Sequence, residues 1–153
     1  MGDTATKLRN FAEFKSQIFA QREALAKLER FKIWSLTEQE LITVQSILVG
    51  ILDELTVSKA EAHLVANSKI LHHILPNLVP PIDRRHTLAY FGINKMLPSQ
   101  KPAGSIFVHL FPSFVRVSTT LAKDIQGKID ISKENWHTSF TKVIDNAVIG
   151  APT

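Results

Sequence analysis

Apolar residues recur at three- and four-residue steps along the first part of the chain: Phe11, Phe14, Ile18, Leu25 and Leu28, with Lys, Arg and Glu between them. That is the helical period, and it predicts a long amphipathic first helix over about 6–32 whose seam resembles a short coiled-coil face. Thr37 followed by Glu40 has the spacing of a capping box, and Leu36 is placed to staple onto Leu41. A second helix therefore starts at Thr37 and aligns Leu41, Val44, Ile47, Leu48, Ile51, Leu52 and Leu55 on one face. Ser58 and Glu61 repeat the box and open a third helix that runs to Leu75, because Pro76 cannot continue it. This helix is apolar around most of its circumference, the pattern of a central, buried element.

Pro76, Pro80 and Pro81 then impose an extended loop, and Asp83 is placed to cap a short fourth helix ending near Gly92. Residues 106–125 read as a fifth helix, kinked or broken at Pro112. Thr138 or Ser139 caps a last helix carrying Phe140, Val143, Ile144, Ala147 and Val148. Residues 105–108 and 114–117 contain β-branched and aromatic side chains, but neither alternates over a full strand. The expectation is an all-α fold of five to seven helices, a single compact domain over 1–153 in which a helical hairpin at 6–56 packs on a core at 58–150.

With 153 residues and 44% apolar side chains the chain is long enough to close a hydrophobic core. It has no cysteine, which excludes thiolate metal sites, cysteine nucleophiles and disulfides together. Six histidines are present, but His72 and His73 are adjacent and point about 100° apart on a helix, and no HxxxH or HExxH spacing occurs, so neither a metal nor a cofactor is implied. The longest uncharged stretches, 41–52 and 102–115, are short for a bilayer, and Asp3, Lys7 and Arg9 stand where a signal peptide needs apolar residues. A cytoplasmic protein without a membrane segment is expected.

The net charge of +4 is unevenly laid out: seven Lys/Arg against four Asp/Glu in residues 1–36, none against four in 37–57, and six against two in 58–103. The positive excess of the third quarter favours an anionic partner such as DNA or RNA, with Arg84, Arg85 and Lys69 as a basic patch and His86 beside them.

Candidate chemistry concentrates in that quarter. Lys69 lies within the apolar run of the third helix, where its ammonium must either snorkel to solvent or sit partly desolvated as a potential nucleophile. His73 is four residues on and shares its face. Asp83, held rigidly behind Pro80 and Pro81, approaches Lys69 if the loop folds back over the helix, giving a charge pair or a lysine nucleophile with a carboxylate partner.

The run Asn67-Ser68-Lys69-Ile70-Leu71-His72 followed by Leu78-Val79-Pro80-Pro81-Ile82-Asp83 resembles a Ser/Thr-Lys-x-Leu … Pro-x-x-Asp signature of small bacterial proteins that are distantly similar to helix-hairpin-helix DNA glycosylases of the 8-oxoguanine type. The resemblance covers about residues 58–92. It implies that Lys69 attacks a sugar C1′ and that Asp83 supports the developing positive charge. Ser68, His72, His73, Arg84, Arg85 and His86 would then contact substrate, with Tyr90 and Phe91 as wedge residues for a flipped base. The other reading of the same residues is non-enzymatic: a helical interaction or oligomerisation module whose N-terminal helix packs on a second copy or a protein partner, with Lys69 and Asp83 as a structural pair bracing the proline loop.

Overall fold

The computed structural model describes residues 9–58, 63–83, 85–93, 102–125, 128 and 139–150. Within them the helical periods become α1 (Phe11–Ala20), α2 (Arg22–Leu28), a 3-10 turn (Ile33–Ser35), α3 (Glu38–Glu54), α4 (His63–Ile74), α5 (Thr87–Tyr90), α6 (Ala103–Ile125) and α7 (Phe140–Gly150). No strand occurs among the described residues, and the all-α, single-domain expectation holds with seven α-helices.

Several helix ends form as their local chemistry requires. Thr37 and Glu40 make the reciprocal capping box of α3, the Thr37 N–H donating to the Glu40 carboxylate at 2.9 Å and the Glu40 N–H to the Thr37 hydroxyl at 3.3 Å. Those bonds hold the Glu40 carboxyl below its usual range. Gly92, at φ 70°, closes α5: its N–H bonds to the Ala89 carbonyl and that of Ile93 to Leu88, the pattern of a left-handed C-terminal cap. Ser139 caps α7 through the Lys142 N–H at 3.2 Å. The expected start of the third helix at Ser58–Glu61 and the alternative cap Thr138 involve residues outside the described ones.

The first helix departs from expectation. It is two helices, broken at Gln21, whose N–H bonds to the Ile18 carbonyl three residues back instead of four. The break re-aims the chain so that α2 buries Leu25 and Leu28. Meanwhile the side chains of Gln17 and Gln21 reach the end of α3: Gln17 exchanges two bonds with Thr56, at 2.8 and 3.2 Å, and Gln21 donates to Glu54.

Helix α6 occupies the centre and contacts α3, the 3-10 turn, α4 and α7. Its inward face carries Ile106, Phe107, Leu110, Phe111 and Phe114, all without solvent exposure. Full burial of such a side chain contributes about 1.5–3 kcal/mol, so this face is the main source of core stability. By length and composition α6 is also apolar enough to cross a membrane, although 44% of its most apolar window is buried inside the fold. At its start Gly104 permits a close approach: a Cβ there would meet Asp53 Oδ2 and Val49 Cγ1 at 2.7 Å. The Gly104 N–H donates to Asp53 Oδ1 at 2.7 Å, so the end of α3 caps the beginning of α6.

Of the expected kink or break at Pro112, the break does not occur: α6 runs through Pro112 as one helix. Proline has no N–H to give the carbonyl four residues back, which is that of Val108. Gln45 of α3 supplies the missing donor, its side-chain amide bonding the Val108 carbonyl at 2.8 Å. Gln45→Ala is accordingly expected to cost about 0.5–1.5 kcal/mol by urea denaturation. In a Pro112→Ala background that cost should shrink, since an alanine at this position brings its own N–H, and a double-mutant cycle checks the coupling.

Candidate functional site

The third-quarter residues fold into a strap. Helix α4 turns Leu64, Asn67, Ser68, Leu71 and His72 inward, a set of positions that forms one face at the helical repeat. Asn67 donates from its amide to the carbonyls of Leu52 and Leu55, at 3.1 and 2.8 Å, and so caps the end of α3. Ser68 donates to the Val65 carbonyl at 3.0 Å and accepts the Ile82 N–H at 3.1 Å. His72 places Nδ1 2.9 Å from the Val79 carbonyl and 3.1 Å from Thr141 Oγ1. A carbonyl only accepts, so Nδ1 carries the proton.

The strap is closed from α7. Thr141 donates to the Pro76 carbonyl at 2.6 Å and receives Ser139 at 3.2 Å. Burial holds the His72 pKa below its ordinary value, reinforced by the neighbouring charges of His73 and Lys142 and opposed by the Val79 carbonyl and Asp145. Lys142 and Asp145 form an ion pair at 2.5 Å with the carboxylate almost fully buried. Its second oxygen, Oδ1, has no hydrogen-bond partner among the described residues.

The loop does fold back over α4, as expected, but the residues it joins are Ser68 and Ile82, each one position before the anticipated pair. Lys69 follows Ser68 by about 100° of helix rotation and is exposed, as is His73 four residues on. Asp83 Oδ1 accepts from the N–H groups of Arg85 and His86, at 2.8 and 2.9 Å, while the Asp83 N–H donates to Thr87 Oγ1 at 2.9 Å. Neither Lys69 nor Asp83 takes part in an ion pair among the described residues, so the expected charge pair is corrected to an exposed lysine and an aspartate that accepts from the turn before α5, whose N-cap is His86 rather than the expected Asp83. Arg85 is exposed, His86 is half-buried, and Arg84 lies outside the described residues. Of the anticipated substrate contacts, Ser68 and His72 are buried and committed to the loop.

No group of three or more His, Asp or Glu suited to a metal ion occurs among the described residues. A cleft of about 350 Å³ between the end of α3 and the starts of α4 and α6 holds Asp53 and His63, whose buried Nδ1 has no hydrogen-bond partner among the described residues.

An open apolar feature lies on α1. None of its residues is buried, and Phe11 and Phe19 are 75% and 64% exposed. They border a groove of about 390 Å³ formed with Phe14, Ile18, Leu25 of α2 and Ile74 of α4, with Lys15, Arg22 and Glu29 as its charged members. The Arg22 guanidinium lies 4.4 Å from the Phe19 ring centre. Beyond Glu29 and Ile74 a more polar hollow of about 250 Å³ continues over Phe31 and residues 75–78.

Sequence reasoning identified the apolar seam of the first helix but not the partnership of His72 with Thr141 across 69 residues, for which the chain offers no local signal. No protein family, no curated protein and no solved structure matches this chain.

Two outcomes follow from the strap. Ser68→Ala leaves the buried Ile82 N–H without its acceptor and is expected to cost about 1–3 kcal/mol, whereas the exposed Lys69→Met should stay within about 0.5 kcal/mol, both read from urea midpoints. Because the His72 pKa is lowered from 6.5, the unfolded chain binds the proton more readily, and the stability contributed by neutral His72 is complete above pH 6.5 and lost as pH falls below it. The acid-side slope of stability should therefore flatten in His72→Gln.

Proposed function

We propose that this chain is a non-enzymatic helical interaction module that docks a helical partner in the groove between α1, α2 and the end of α4. The observation that carries the reading is α1 itself: a helix with no buried residue that holds two phenylalanines more than half exposed beside an apolar groove. Scattered surface apolar residues need no explanation, but two rings bordering one groove form a contiguous patch of the kind that marks a contact surface. An amphipathic helix laid in such a groove places apolar anchors at helical spacing. Each phenylalanine it covers contributes about 1.5–3 kcal/mol from burial.

The catalytic form of the nucleic-acid reading takes Lys69 and Asp83 as a pair; among the described residues no ion pair joins them, Lys69 being exposed and Asp83 Oδ1 accepting from the Arg85 and His86 N–H groups. The interaction reading needs nothing from either.

A photo-reactive phenylalanine analogue at position 19, introduced in cells, is expected to give a discrete cross-linked adduct. The same probe at Thr120, exposed on α6, serves as control. Adduct formation at position 19 no greater than at position 120 would overturn the reading.

A further inference from the structure

We infer that His72 is the latch of a pH-sensitive switch: on gaining a proton it releases α7 from the proline loop while α3 and α6 stay packed. The device is independent of the groove on α1. It goes beyond the contribution of His72 to overall stability, because it names the part of the fold that moves.

Three segments of the chain meet at this ring. Nδ1 donates to the Val79 carbonyl at 2.9 Å and lies 3.1 Å from Thr141 Oγ1, and the Thr141 hydroxyl in turn donates to the Pro76 carbonyl at 2.6 Å. The neutral ring therefore serves the loop and α7 together, with its one proton on the nitrogen they share. A second proton goes to Nε2 and puts a full charge on a side chain that is only 9% exposed. The charged groups that act on it are His73 on its own helix and Lys142 and Asp145 on α7, while the loop over residues 76–82 has no titratable side chain. Asp145 is the one carboxylate of this set, and it is already paired with Lys142. An imidazolium here thus has no counterion of its own, and burial holds its pKa below the ordinary 6.5.

Any state in which the ring reaches water takes up the proton more readily, and the two pieces that cover it are held in different ways. The loop is tied through its backbone: the Ile33 N–H donates to the Asn77 carbonyl at 2.9 Å, the Val79 N–H to the Leu75 carbonyl at 3.0 Å and the Ile82 N–H to the Ser68 hydroxyl at 3.1 Å. Among the described residues α7 makes no backbone–backbone hydrogen bond to another element. It is held by Thr141, by the Phe140 ring 4.4 Å from the Trp34 ring, and by the buried Ile144 and Val148. Partial opening follows the least secured unit, so α7 is the piece that leaves, uncovering His72 and Trp34. The sign follows from linkage: closure is fully favoured above pH 6.5, and opening gains as pH falls below it, by up to about tenfold per pH unit until the closed form itself takes up the proton.

The test is amide hydrogen exchange of the full chain by NMR between about pH 7.5 and 5.5, each rate divided by the intrinsic rate at that pH to give an opening constant. The constants of Val143, Ile144 and Val148 are expected to exceed those of Leu48 and Leu110 by about tenfold or more at every pH, and to rise together below pH 6.5. The same spectra follow the His72 ring, which should titrate below 6.5. His72→Gln should remove the rise in α7, and His73→Gln, at the exposed neighbour, should keep it. Thr141→Val, which lacks the hydroxyl on the Pro76 carbonyl, should raise the α7 constants by roughly two- to tenfold at all pH values. Equal opening constants in α7 and in α3 and α6 would mean that the whole fold opens at once, and would overturn the inference. So would a His72 ring titrating at or above 6.5, α7 constants that do not change with pH, or an α7 indifferent to Thr141→Val. The wild-type measurements decide by themselves if His72→Gln does not fold.

Discussion

The fold depends on burying one face of α6. Phe107, Phe111 and Phe114, together with Ile106 and Leu110, are fully removed from water, and α3, α4, α7 and the 3-10 turn are each in contact with that helix. A helix so placed must have its backbone polar groups satisfied by its neighbours wherever its own ladder fails. Its two weak points, the start at Gly104 and the carbonyl freed by Pro112, are both served from α3, by Asp53 and Gln45. Apolar burial thus brings α3 and α6 together, and two polar side chains set their alignment.

The segment that resembles a lysine–aspartate active site is, in its geometry, a fastening. Asn67, Ser68 and His72 share the inner face of α4 and each satisfies backbone groups from another part of the chain. A loop with prolines at 76, 80 and 81 makes few hydrogen bonds of its own, and its carbonyls at Pro76 and Val79 need donors when buried. His72 and Thr141 provide them. The residue types that suggest chemistry in sequence are also those suited to holding an irregular loop against a helix.

Helix α1 stands apart from this arrangement. Its attachment to the body is polar at Gln17 and Gln21 and apolar only through the half-buried Phe14 and Ile18. Phe11 and Phe19 lie outside the core and border the open groove.

Local signals in the chain determined the helical class, the capping box at Thr37 and Glu40, the caps at Ser139 and Gly92, and the apolar seam of the first helix, because periodicity and caps are interactions within a few residues. Three things were decided only by tertiary structure. Helix α6 continues through Pro112 because Gln45, 63 residues away from the carbonyl it serves, replaces the missing donor. The first helix breaks at Gln21, where α2 turns Leu25 and Leu28 into the core and the Gln21 side chain donates to the Glu54 carboxylate of α3. Lys69 and Asp83 do not pair because Ser68, one position earlier, takes the loop, and a single residue's step on a helix turns the next side chain about 100° toward solvent. Sequence spacing constrains which residues share a face, but which face is turned inward is settled by the partners that the rest of the chain brings to it.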